Sequence, residues 1–105
     1  MHVQIITFNL KGLSDNEYRA HCEAIAPAFA QLPGLLAKTW LADAQTGTYG
    51  GVYTFTDKDA FQAFAASDLA AGVANHPNLS NMSMRDFGVL EAPSAITNGL
   101  VGAAA

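Results

Sequence analysis

The segment from Leu35 to Thr56 constrains the fold most, because it predicts a β-hairpin with almost no charge. Its halves read L-L-A-K-T-W-L and T-Y-G-G-V-Y-T-F-T, two almost uncharged runs that we interpret as strands. Only Lys38 and Asp43 are charged in this segment. A sheet with helices on one face needs apolar side chains on that face alone. We therefore expect a second cover on the other face, and in a chain of 105 residues we expect a second copy, a homodimer.

The composition agrees with hidden apolar surface. Half of the residues are hydrophobic and 13% are charged, against about 25% in ordinary soluble domains. The net charge of −4 and five scattered Lys and Arg residues argue against a nucleic-acid partner. No apolar run approaches the ~20 residues of a membrane span, which argues against a membrane partner. With one cysteine, Cys22, no internal disulfide forms, and we expect a cytoplasmic protein.

Local patterns predict the element order β-α-β-β-α-β. The first helix begins after Ser14, which forms a capping box with Glu17, and its apolar residues recur every three or four positions. In the last strand the alternation changes phase, which predicts a bulge near Asp86. The predicted elements are a strand His2–Leu10, a helix with Tyr18, Cys22, Ile25, Phe29 and Leu32 on one face, strands Leu35–Leu41 and Thr48–Thr56, a helix capped by Asp57 and broken near Ser67, a helical segment Asp68–Asn75, and a strand Leu79–Leu90.

This order is that of an α+β, ferredoxin-like βαββαβ sandwich with an antiparallel four-stranded sheet. We expect residues 1–105 to form one domain, and two copies to pack sheet against sheet in a dimeric α+β barrel. The tail from Ala92 to Ala105 has few charges and no period, so it docks on the partner or frays. Gly50 and Gly51 inside a strand predict a bulge, or a close approach of a ligand or of the partner's backbone.

Three segments carry a family resemblance. They are P-G-L-L-A-K-T-W from Pro33 to Trp40, G-G-V-Y-T-F-T-D from Gly50 to Asp57, and the pattern F-x-V-x-E-x-x-S-x-I that begins at Phe87. With these segments the chain resembles the YdhR-type monooxygenase family of the dimeric α+β barrel superfamily. The resemblance implies a homodimeric barrel with a pocket between helices and sheet. The family has no settled set of catalytic residues, so none is transferred.

The superfamily suggests a reaction class. Its members include cofactor-independent oxygenases of quinols and anthrones, haem-degrading enzymes and lactone isomerases. The resemblance therefore implies a monooxygenase without metal or other cofactor, which removes a proton from an apolar aromatic or enolic molecule so that the anion reacts directly with O₂. One alternative is an isomerase or cyclase that uses the same pocket without O₂. Another is a non-enzymatic dimer that binds a small ligand, and haem binding is a weaker option.

Three residues are candidate catalytic groups. His76 could act as a general base near neutral pH, although a histidine after a helix can equally serve as a favourable cation at its C-terminus. The Tyr53 hydroxyl could orient a phenolic substrate, but tyrosine is also an ordinary strand residue. Arg85 is a lone cation on an apolar strand, which must reach solvent, a carboxylate such as Asp86, or an anionic ligand.

Five further residues are candidate substrate-binding groups. The amide of Asn9 could bind a substrate oxygen or cap a turn, and the Trp40 indole could donate a hydrogen bond or simply pack in the core. Phe55, Met82 and Met84 suit either a pocket lining or ordinary core. No Cys and His residues have zinc-site spacing, so we predict no metal site.

Overall fold

Four antiparallel strands form one sheet in the computed structural model, which describes residues 1–100. Along the sheet the order is β2-β3-β1-β4, and β1 pairs with both β3 and β4. This topology confirms the ferredoxin-like α+β prediction. The elements are β1 His2–Leu10, α1 Asp15–Ala30, β2 Leu35–Asp43, β3 Thr48–Phe55, α2 Lys58–Ala65, α3 Asp68–Ala74, β4 Leu79–Gly88 and α4 Glu91–Ile96.

Helix α1 follows the predicted pattern. Ser14 Oγ accepts a hydrogen bond from the Glu17 backbone N–H, and the Glu17 carboxylate accepts one from Ser14 N–H, which completes the capping box. Tyr18 and Phe29 are buried, and the three other apolar residues of the stripe pack against them. The helix thus lies on the inner face of the sheet, the face that carries Ile6, Phe8, Tyr49, Tyr53 and Phe55 in the core.

The bulge does not lie where the sequence predicted it. The register between β1 and β4 shifts between Thr7 and Asn9, so that Asn81 and Met82 together lie opposite Phe8. Asn81 has a φ of 52°, a conformation that Asn adopts more readily than most residues. The prediction near Asp86 was therefore wrong, because the strand alternates regularly from this bulge onward.

The shifted bulge places Arg85 and Phe87 on the outer face of the sheet, the face away from the helices. Arg85 pairs with Ile5 and Phe87 pairs with Val3 in the β1–β4 ladder. Ile5 is 38% exposed and Phe87 is 42% exposed, so this apolar face is uncovered in a single chain.

Gly50 and Gly51 do not form a bulge. The register of β3 runs without a shift across both residues, against β1 and against β2 at Trp40. A Cβ on Gly50 would lie 1.9 Å from the carbonyl oxygen of Ile6, which belongs to the neighbouring strand. The close approach at Gly50 therefore comes from a neighbouring strand of the same chain, whereas the prediction named a ligand or the partner's backbone.

The chain after β4 forms α4, which the sequence did not predict. Leu90 precedes it without a side-chain cap, and six residues with an internal proline give little helical signal. The N-terminal amine of Met1 contacts the Glu91 carboxylate at 2.9 Å, and Leu90 and Ile96 are strongly exposed. The predicted tail extends to Ala105, of which residues 101–105 lie outside the described residues. None of the helices within residues 1–100 has the length and apolar character needed to cross a membrane.

Candidate active site

A cavity of about 270 Å³ lies between the inner face of the sheet and the helices α1 and α3. Its wall is mostly apolar and aromatic, with a few polar groups among the rings. Such a composition is typical of sites for small apolar molecules, and the volume lies near the lower end of the ~300–1,000 Å³ usual for ligand sites. The lining residues are Phe8, Leu13, Tyr18, His21, Cys22, Ile25, Phe29, Lys38, Trp40, Gly50, Tyr53, Asp68, Leu69, Gly72, Val73, His76 and Leu79.

The structure brings three of the predicted site residues together in this cavity: Trp40, Tyr53 and His76. The Trp40 ring lies perpendicular to that of Phe29, with 5.4 Å between the centroids. Tyr53 is 2% exposed, and burial raises the pKa of its hydroxyl. Its phenol therefore stays protonated at neutral pH and can act as a hydrogen-bond donor.

His76 follows α3 and packs edge-on against His21, with 5.6 Å between the ring centroids. Its Nδ1 accepts a hydrogen bond from the backbone N–H of Asn78 at 3.1 Å. A backbone N–H can only donate, so the neutral imidazole carries its proton on Nε2. In this state His76 offers a donor at Nε2, and protonation of Nδ1 would require the bond to Asn78 to break.

The cavity is not lined by Asn9, Phe55 or Arg85. Asn9 donates to the Gly47 carbonyl at 2.7 Å and accepts from Asn81 at 2.9 Å, so both ends of its amide tie loops together. Phe55 is fully buried in the core. Arg85 lies on the outer face, where its guanidinium carbon is 5.3 Å from the centroid of Phe87.

The two methionines also lie away from this cavity. Met82 packs against the core, and Met84 lines a separate cavity of about 100 Å³. Gln4 lines the same small cavity and is 6% exposed, and its Oε1 has no hydrogen-bond partner. A space of this size and polarity suits a few water molecules rather than an aromatic substrate.

Sequence reasoning missed Lys38, the amine on the cavity wall. Its Nζ lies 3.4 Å from the ring centroid of Phe29, 3.4 Å from that of Trp40 and 4.6 Å from that of Tyr53. Burial lowers the pKa of Lys38 to about 7. The ring faces act in the opposite direction, since they attract a cation. Two features of the sequence could have indicated this position. Lys38 and Trp40 are two residues apart on one strand and so share a face, and Gly51, directly opposite Trp40, has no side chain to fill the space on that face.

Helix α1 supplies the other residues that sequence reasoning did not assign to the site. Tyr18, His21 and Phe29 line the cavity from α1, and burial raises the pKa of the Tyr18 hydroxyl. The helical stripe had identified Tyr18 and Phe29 as core, which they also are. Periodicity reveals the inward face of a helix, but it does not show where that face stops short of the sheet. Within residues 1–100, no three His, Cys, Asp or Glu side chains come together as a metal site.

Comparison with known families decides the relationship. Residues 3–100 match the model of the family described as "Putative mono-oxygenase ydhR". The chain belongs to this YdhR family. A comparison with curated protein sequences finds no match. The resemblance seen in the hairpin and in the segment after Phe87 is thus confirmed.

Solved structures with the same fold include two enzymes and a protein of unknown function. The YdhR-family chain is 22% identical to SnoaB, a cofactor-independent oxygenase from Streptomyces nogalater, with 86% of this chain and 93% of SnoaB covered and a TM-score of 0.68. It is 24% identical to the haem degrader MhuD from Mycobacterium tuberculosis, with 86% and 96% covered and a TM-score of 0.69. It is 19% identical to NE2512 from Nitrosomonas europaea, with 87% and 90% covered and a TM-score of 0.71. At these identities the likeness establishes the fold alone.

Proposed function

We propose that this YdhR-family protein is a cofactor-independent monooxygenase of a small aromatic or enolic molecule. The observation that carries the proposal is the aromatic cavity of about 270 Å³, whose wall includes three residues with hydrogen-bond donors, Trp40, Tyr53 and His76. Family membership and the fold shared with SnoaB support the same reaction class. The small volume favours a compact ligand of a few fused rings over a macrocycle.

The reaction needs a substrate that supplies its own electrons. For an anthrone-type molecule, a ring CH₂ group and one O₂ give a C=O group and one water, so no external reductant enters. The protein would contribute a dry cavity, removal of a substrate proton, and donors that stabilise the resulting oxyanion. The protonated Tyr53 hydroxyl and the Nε2–H of His76 suit the donor role. A base role for His76 would cost its hydrogen bond to Asn78, so we assign that residue to the oxyanion.

We also propose that the working unit is a cytoplasmic homodimer. The outer face of the sheet presents Val3, Ile5, Val52 and Phe87 beside threonines, and Arg85 is a charge on its edge strand β4. A second sheet packed on this face would remove these side chains from water. Arg85 would then lie between the two sheets of the barrel, away from the cavity of its own chain. The exposed Leu90 and Ile96 would bring the tail of one chain onto its partner.

The direct test is oxygen uptake by the purified, metal-stripped protein with hydroquinones, naphthoquinols and anthrones. We expect enzyme-dependent uptake that survives chelator, needs no flavin, and yields a product with one added oxygen. Tyr53→Phe and His76→Ala should each lower the rate about 100- to 1,000-fold, as the loss of one oxyanion donor does. Turnover without added oxygen would instead identify an isomerase or cyclase, and tight binding without turnover a ligand-binding dimer. A Soret band in a haem titration would favour the MhuD-like alternative, which the His21 and His76 pair suggests.

A further inference from the structure

We propose that Lys38 takes the proton from a phenolic or enolic hydroxyl of the substrate and then holds the resulting anion. This inference rests on the proposed function in that it uses the same cavity, and it narrows the substrate to small hydroxyl compounds that ionise there. In the proton transfer the substrate O–H bond breaks and an N–H bond forms on Nζ. No electrons are exchanged in this step.

The position of the amine carries the argument. Lys38 lies on the inner face of β2, directly opposite Tyr53, and its Nζ sits in the corner formed by the perpendicular rings of Phe29 and Trp40. Lys38, Phe29 and Trp40 all line the cavity, so an aromatic ligand held there would lie beside the amine and the rings that surround it. A hydroxyl on such a ligand would therefore come within reach of the amine.

Among the described residues 1–100, no carboxylate forms an ion pair with this amine. The ion pairs within residues 1–100 join Met1 to Glu91, His2 to Asp86 and Arg19 to Asp15, and none involves Lys38. A protonated amine surrounded by ring faces gains some cation–π attraction, but it lacks the hydrogen-bonded anion that a buried charge usually has. A phenolate or enolate in the cavity would supply that anion.

The other titratable groups of the cavity leave this role open. Tyr18 and Tyr53 hold their protons, because burial raises the pKa of both hydroxyls. The Nδ1 lone pair of His76 already accepts the hydrogen bond from the Asn78 backbone N–H. His21 and Cys22 belong to α1 and line the cavity wall from that helix. Asp68 is the carboxylate among the lining residues, and it is exposed at the start of α3.

Gly51 leaves the space that the Lys38 side chain occupies over the sheet. A Cβ on Gly51 would lie 3.1 Å from Cε of Lys38, which is tighter than an ordinary contact. The absence of a side chain there lets the lysine bend over the sheet toward Trp40 and Phe29. With its amine half-buried and its pKa near 7, Lys38 is neutral in a sizeable fraction of molecules at physiological pH and can accept a proton.

The test uses 3-nitrophenol, a weaker acid than Lys38 whose ionisation is visible as a yellow phenolate band, with the full-length protein and without any turnover. At a pH where the free probe is mostly neutral, the wild-type protein should produce the phenolate band on binding. Lys38→Met should lower this band about ten-fold or more, as expected for loss of a charge-assisted hydrogen bond. Lys58→Met, which removes an exposed lysine on α2, should leave it unchanged.

Calorimetric titration in buffers of different ionisation enthalpy then locates the proton. Slightly above pH 7, where free 3-nitrophenol is still mostly neutral and Lys38 is mostly unprotonated, the wild-type protein should release almost no proton to the buffer, because Lys38 keeps it. Lys38→Arg is already charged, so it should bind the phenolate and release about one proton per bound probe. Equal proton release by both proteins, or an undiminished phenolate band in Lys38→Met, would overturn the proposal.

Circular dichroism confirms folding, and Lys38→Arg keeps the test decisive if the Met variant is unstable. A phenolate band without any oxygen uptake would refute the oxygenase while leaving this inference in place.

Discussion

The Nζ of Lys38 lies 3.4 Å from the centroid of the Trp40 ring, two positions along the same strand. Side chains two positions apart on a strand point to the same face, so Lys38 and Trp40 both lie on the inner face of β2. The aromatic ring is thus placed where it can attract the cation. Phe29 closes the corner from α1. The cavity therefore contains an amine whose surroundings are apolar on most sides.

This burial makes stability depend on pH. Lys38 titrates near 7 in the folded chain and near 10.5 in the unfolded chain. Between these values the unfolded chain binds more protons, so the free energy of unfolding rises with pH. We expect the wild type to gain stability relative to Lys38→Met as pH increases through this window, by an amount on the order of a few kcal/mol. Urea unfolding at several pH values measures it.

The matched control for that series is Lys58→Met. Lys58 is exposed on α2, and its replacement should shift stability equally at every pH of the series. A difference between wild type and Lys38→Met that stays constant from pH 7 upward would show that the amine keeps its ordinary pKa in the folded chain. In that case the cation–π contacts outweigh the cost of burial.

Gly50 should not tolerate any side chain. Its Cβ would lie 1.9 Å from the backbone oxygen of Ile6, and a backbone atom in the central strand cannot move aside without breaking the ladder. We expect Gly50→Ala to destabilise the fold by about 3 kcal/mol or more, or to abolish cooperative unfolding. Thermal denaturation monitored by circular dichroism gives the result.

Gly88 offers a strand glycine for comparison, since no atom lies within 4 Å of its Cβ position. Gly88→Ala should change stability by less than about 1 kcal/mol. If both variants unfold alike, the close packing of β3 against β1 at Gly50 is not what selects glycine there.

The sequence predicted the strands and the three longer helices because hydrophobic periodicity decided them. The stripe of α1 and its capping box are local signals, so their prediction needed no tertiary information. The prediction of the bulge position failed because the bulge depends on the backbone conformation of one residue, Asn81. That conformation does not change the pattern of apolar residues in the sequence. Because the bulge was misplaced, the sequence did not predict which face of the sheet Arg85 occupies. In the structure Arg85 lies on the outer face.

The site was predictable only in part for a similar reason. Trp40, Tyr53 and His76 drew attention as chemistry-bearing residues, and they line the cavity. Sequence reasoning noted Lys38 only as one of two charges in the hairpin. It could not assign Lys38 to the site, because its surroundings depend on Phe29 from another element and on the space left by Gly51. Such relationships between elements have no signature within one strand.

The outer face of the sheet predicts a dimer in solution. We expect the wild-type protein to sediment as a dimer at micromolar concentration. Ile5→Lys should shift it to a monomer, because Ile5 lies opposite Arg85 and two facing sheets would bring four cations together. Gln62→Lys, on an exposed position of α2, should remain dimeric. A monomeric wild type would contradict the barrel.

Asp15 links α1 to β3, and this link should also respond to pH. Its carboxylate accepts hydrogen bonds from the Tyr49 hydroxyl at 2.7 Å and from Arg19 Nε at 2.6 Å. The bond from Arg19 and then that from Tyr49 lower the pKa of Asp15 below 3.8. A lowered pKa in the folded chain means that stabilisation is present above the unfolded value and is lost as pH falls through the folded value.

We therefore expect Asp15→Asn to be less stable than the wild type at neutral pH, with a difference that shrinks as the pH falls below 3.8. The neutral amide has a single acceptor oxygen, so it can accept only one of the two hydrogen bonds, and it does so less strongly than a carboxylate. Glu23→Gln, at an exposed position of the same helix, should show no such convergence. Combining Asp15→Asn with Tyr49→Phe isolates the link between helix and strand, since the two changes should not be additive. Additive losses would mean that Asp15 acts only within the first turn of α1.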